Sequence, residues 1–312
     1  MNRSVYNKPY RNYVDLVQHL QTKNLEIADV DEACEFLKRI NYYRFKVYLR
    51  PFLDQPNNLY RPGATFEQGV DLYRFDDELR DLCFTIIGRL EVKIRSRLDQ
   101  TISAHTNNPF WYLVDSNFND RLKMEEIAQK ISSDFKCSSD DFTNYFKAKY
   151  YNNANSKFKH LPPFWIAAEL LTFGTILRLF KSVKKSTIAG KNVNKMDALA
   201  REFGAKNLKV FNGWLAAMRD VRNRCAHHSR LWNCNYREPA EIRKMLDPNC
   251  LPPRQNRIYL ILVALHIMCK SMDIQADIRD RLQSLIGNHP AVTPYLGSIG
   301  FHMDWALDPV WN

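Results

Sequence analysis

Between Arg219 and Arg230 the chain places four arginines (219, 222, 224 and 230) and two adjacent histidines, His227 and His228, against a single acid, Asp220. Arginine grips phosphate oxygens through a planar fork of donors. Histidine exchanges a proton near neutral pH. Together they are the parts needed to break a phosphodiester bond without a metal.

A helix through this stretch is needed to position them. On a wheel of about 100° per residue from Leu208 to Trp232, six residues share an arc of about 80° and form a core stripe. They are Phe211, Trp214, Met218, Val221, Cys225 and Trp232. Arg219, Arg222, Asn223, His227 and Arg230 fall on an adjoining polar arc, with Arg222 at the apolar border. Asn223 stands one turn before His227, close enough for its amide to fix the imidazole tautomer. His228 lies elsewhere on the wheel and takes a supporting part. Arg222 and His227 point about 140° apart, so one copy does not grip a phosphate from both sides. Two copies across a symmetric interface would, which predicts a homodimer with a composite site.

The plainer alternative is a polar helix end, with arginine bridged to an acid and histidine capping carbonyls. Zinc is a weak alternative: Cys225 faces the core, Cys234 lies further on, and no second ligand pair follows at a recognised spacing. The sequence carries no phosphate-cradling glycine loop, Ser-His-Asp set or paired catalytic carboxylates. The expectation is no metal and no cofactor.

The 312 residues carry a net charge of +11, a pI near 9.3 and 12% aromatics. Such a chain folds, and it favours anionic partners. Seven cysteines without CxxC pairs fit a reducing compartment. Residues 1–11 lack an apolar signal core, and the longest apolar run, 258–269, is too short to span a bilayer. A cytoplasmic protein with no membrane partner is expected.

Ten glycines and no alternating strand pattern predict an all-α fold. Helices are expected over 12–23, from Asp29 to Ile40, and over part of 41–52. A loop over 53–64 is rich in proline and asparagine. After a Thr65/Gln68 capping box, a long helix runs from Phe66 to about His105, and the acids at 76 and 77 could break it. Further helices are read over 121–135, 164–180, 196–203, 254–272 and 274–286. Residues 145–159 interleave lysines with tyrosines and phenylalanines, which suits either RNA stacking or a solvated amphipathic helix. Lysines 181, 184, 185, 191 and 195 mark a polar linker. The domain reading is an N-terminal helical region (1–62), a main helical domain (63–290) and an irregular tail (291–312).

Arg222-Asn223-x-x-x-His227 resembles the Arg-x4-His motif of the HEPN superfamily, and the longer string through Asn233 resembles the abortive-infection AbiD/AbiF proteins of bacteria. Four more segments agree, in order: Ile40–Arg44, Leu72–Asp76, Leu90–Ser96, and Leu161–Trp165 continued by Glu169–Gly174. The six-residue motif alone is unspecific. The ordered set, covering roughly residues 5–310, is specific. The resemblance implies a HEPN-like helical bundle with an N-terminal helical extension, phage defence, and a dimeric, metal-independent endoribonuclease. It also implies RNA as substrate and a small structured RNA as a regulatory partner. In that reading Arg222 stabilises the phosphorane, His227 is the general acid or base, and Asn223 orients His227 or contacts phosphate. Arg219, Arg224, His228 and Arg230 support RNA binding. Glu91 and Arg95, one turn apart on the long helix, either support the site or form an internal salt bridge. The alternative function is a non-catalytic protein that holds a small structured RNA. A DNA-binding repressor fits less well, since the core face of the motif helix is longer than a recognition helix needs.

Overall fold

The capping box at Thr65 is formed as its residue types require. The Gln68 amide donates to the Thr65 hydroxyl at 3.2 Å, and the Thr65 amide donates to the Gln68 side chain at 3.1 Å. In the computed structural model this box opens α4, and residues 5–7, 9–190 and 194–312 are described. Lys191 of the expected linker, and residues 1–4 and 8 of the N-terminal stretch, lie outside them.

The chain is mostly helical. In order, the helices are α1 (Tyr13–Gln21), α2 (Val30–Arg39), α3 (Tyr42–Leu49), α4 (Phe66–Thr106), α5 (Arg121–Cys137) and α6 (Asp141–Lys149). They continue with α7 (Phe164–Leu170), α8 (Phe173–Ser182), α9 (Lys195–Glu202), α10 (Leu208–Ala226), α11 (Ile258–Ser271) and α12 (Ile278–Asn288). Within the expected 53–64 loop, β1 (Leu53–Asp54) pairs antiparallel with β2 (Leu59–Tyr60). No helix among the described residues is long and apolar enough to cross a membrane.

Two compact units emerge, one of Met1–Arg80 with Asp280–Gly297, the other of Asp81–Arg279 with Ser298–Asn312. The first unit has an aromatic core: Phe36 meets Phe45, Phe66 and Tyr73 edge-on, at centroid distances of 4.9 to 5.8 Å. Edge-to-face packing satisfies the ring quadrupoles. In the second unit α10 packs on α8, α9 and α11, and α5 packs on α7 and α8. The apolar run of residues 258–269 is α11, nearly all of it buried. From 290 onward the chain makes short 3-10 turns, and Phe301, Trp305 and Trp311 gather around Tyr259.

Two expectations are corrected. α4 does not break at the acids: Asp76 is fully buried and accepts from the Tyr48 hydroxyl at 2.5 Å and from Arg80 at 2.6 Å. It serves a packed pair and does not start a new first turn. The apolar stretch 164–180 is two helices, because Leu171 is extended and Thr172 caps a fresh start, its hydroxyl accepting from the Thr175 amide.

Candidate functional site

α10 holds the motif by burying Phe211, Trp214, Leu215, Met218 and Val221 against its neighbours. Its end is set by backbone geometry. His227 is the C-cap, and His228 adopts φ +49, the left-handed conformation usually given to glycine. The His228 amide donates to the Cys225 carbonyl at 2.9 Å, and the Ser229 amide to the Arg224 carbonyl at 2.7 Å. These two bonds form a complete Schellman stop. A wheel drawn to Trp232 therefore runs six residues too far. Trp232 is buried without being helical, and Arg230 lies half-buried beyond the helix. The run contains no glycine or proline to signal this stop.

Three of the predicted residues are brought together across two helices. Arg222 donates from Nε to Oε1 of Glu91 on α4 at 3.2 Å. Glu91 is also 3.8 Å from Arg95, which donates to the carbonyls of Ala168 and Leu171 at the end of α7. Arg95 thus binds carbonyls at that helix end, where a cation is favoured. The salt bridge expected between Glu91 and Arg95 is present, and Arg222 joins it. The bond to Glu91 uses only Nε of Arg222. Its two terminal nitrogens have no recorded partner among the described residues, and the side chain is 33% exposed. The fork that grips phosphate stays available.

His227 is exposed, and no bond of its ring is recorded among the described residues. Its link to Asn223 is made by the backbone, with the His227 amide donating to the Asn223 carbonyl at 3.0 Å. Arg224 turns away from this face: it is 3.4 Å from Asp220 and lies over the Tyr236 ring at 4.9 Å. Burial opposes its charge, but Tyr236 and Asp220 outweigh that and raise its pKa. The exposed His228 projects from its own left-handed turn.

Arg219 and Asn223 line a cavity of about 540 Å³, beside Thr172, Gly174 and Arg178 of α8 and its cap. Arg237, past the helix end, closes another side. Sequence reading did not place Thr172 and Arg178 at the site, because the merged 164–180 helix hid the start of α8, and Arg237 lies in irregular chain past α10 with no pattern to mark it. The Thr172-x-x-Thr175 cap was the signal that marks the α8 start. Among the described residues no group of three or more His, Cys, Asp or Glu side chains is placed to hold a metal ion.

A mostly helical protein with arginine and histidine side chains near the exposed end of α10 is the class that fold and site define. The family model described as Abi-like protein matches residues 35–233, which takes in α4, α8 and all of α10. The chain belongs to the Abi-like family. No curated protein and no solved structure matches it.

Proposed function

We propose that this chain is a metal-independent endoribonuclease of the HEPN type, acting in abortive infection. One observation carries the reading: Glu91 holds Arg222 by Nε alone, which leaves the terminal guanidinium nitrogens open at the same helix end as the exposed His227.

In this reading the RNA 2′-hydroxyl attacks the adjacent phosphorus and loses its proton to a histidine. The bond from phosphorus to O5′ breaks, and O5′ takes up a proton. The products are a 2′,3′-cyclic phosphate and a 5′-hydroxyl, with no atom unaccounted for. Arg222 neutralises the charge that builds on the phosphorane. His227 carries out one proton transfer, and the same histidine of a second copy carries out the other. Asn223 contacts phosphate or steadies His227. Arg219 and Arg230 draw in the RNA by charge, while Arg224 and His228 hold the helix end.

Cleavage of labelled RNA in EDTA by the parent, absent in His227→Ala, is the expected result. Cleavage undiminished in His227→Ala would refute the assignment. The composite site needs two chains, so a protein that is monomeric at micromolar concentration with RNA bound, yet cuts, refutes that part.

A second reading has its own observation. A guanidinium tied to a buried carboxylate is also what a purely structural arginine shows, so a protein that holds a small structured RNA without cutting it fits as well. A gel shift without cleavage, equal in parent and His227→Ala, is its signature.

A further inference from the structure

The cavity beside α10 has a chemical character of its own. On one side α8 begins, and the Phe173 and Gly174 amides are its first two donors, left without helical acceptors by their position. Gly174 offers no side chain there, and a Cβ in its place would meet the Arg219 side chain at ordinary contact distance, 3.8 Å. On the other sides stand Arg178, Arg219 and Arg237. Among the described residues none of these three has an acidic partner, whereas Asp220, the one carboxylate in the lining, is taken up by Arg224 at 3.4 Å. Guanidiniums gathered around one space repel unless an anion sits among them. Burial, then the charges of Arg219, Arg237 and Lys123, lower the pKa of nearby Lys181, as expected where cations crowd.

We infer that this cavity is a phosphate-binding subsite, distinct from the Arg222–His227 pair. Neither Arg222 nor His227 lines it. Arg219 and His227 are eight positions apart, about 12 Å along a helix axis. Arginine forks and the α8 amides would share the non-bridging phosphate oxygens. Asn223, which lines the cavity one turn before His227, joins the two places. That the phosphate belongs to the strand being cut rests on the nuclease reading; the pocket's affinity for phosphate does not.

The test uses the full chain with Arg178 and Arg237 both changed to Ser. Both side chains are exposed, so folding is retained, and a thermal melt verifies it. The first probe is inorganic phosphate, titrated calorimetrically against chloride at matched ionic strength. The parent should saturate with phosphate and the double variant should not. The second probe is a short RNA, with either a 5′-phosphate or a 5′-hydroxyl, followed by anisotropy in a His227→Ala background that does not cut. Affinity should fall roughly tenfold or more, with the salt slope reduced by about two, one for each lost contact. An equal fall for both oligomers identifies an internal phosphodiester as the ligand; a fall confined to the phosphorylated one identifies a terminal phosphate. The inference is overturned if the parent binds phosphate no better than chloride, or if the double variant binds phosphate and RNA as the parent does. Failure of the nuclease reading looks different: phosphate binding lost in the double variant while the parent cuts no RNA.

Discussion

Three acids along α4 each have a partner one turn on, and their fates differ. Asp76 and Arg80, in the first unit, are buried: their side chains are 0% and 4% exposed, Tyr48 also donates to Asp76, and Arg80 also bridges Asp77. Glu91 and Arg95, in the second unit, share their charge with Arg222, whose side chain reaches solvent. Asp99 accepts from the Ser103 hydroxyl, at 2.7 Å. Acid and basic partner at one-turn spacing therefore do not say whether a pair is structural or serves a site. What decides it is whether a donor is left over and faces water. A buried pair with its partners inside the protein specifies packing, while in the proposed function a pair that orients a third, half-exposed cation prepares it for an anion.

The comparison breaks first on activity. His227→Ala should reduce RNA cleavage by about 10²–10⁴, with Arg222→Ala close behind, and neither should move the melting temperature by more than a few degrees. If Arg222→Ala unfolds, the second network is structural like the first. Asp76→Ala should do the reverse, leaving Arg80 buried without its main partner at a cost of about 3–5 kcal/mol, read as a lower urea midpoint. Glu91→Gln sharpens the contrast, since the amide keeps the shape and loses the charge. A looser Arg222 should lower cleavage by roughly ten- to a hundredfold, with a stability loss near 1 kcal/mol because the pair is partly solvated.

The smallest effect is at Asp99. Burial raises its pKa above the ordinary carboxylate value, though the Ser103 bond pulls the other way. The folded state therefore holds this proton more tightly than the unfolded chain does, and stability falls as pH rises past the unfolded value of about 3.9. Asp99→Asn should be slightly more stable than the parent at neutral pH, and the difference should vanish in acid. A parent that gains from neutral pH relative to the variant contradicts this sign.

Much of this was legible in the residues. The Thr65/Gln68 box, the stripe on α10 and the apolar α11 are periodic or capped in ways that composition cannot hide. The candidate residues Arg222, Glu91 and Arg95 were visible as types, but their meeting was not, because Glu91 and Arg222 lie far apart in sequence. The end of α10 was hidden for a different reason: a histidine fills the position where glycine would announce a stop. The cavity was hidden because an apolar run masked a helix start at Thr172.

That histidine has a consequence for anyone altering the doublet. His227 and His228 are neighbours in the sequence but lie on backbone of opposite hand, so they are not interchangeable spares. Alanine at 228 deletes the ring and keeps the left-handed strain, whereas glycine deletes the ring and relieves it. The difference between these two variants isolates what the turn does from what the imidazole does. An alanine scan alone merges the two and would assign to chemistry an effect that belongs to chirality.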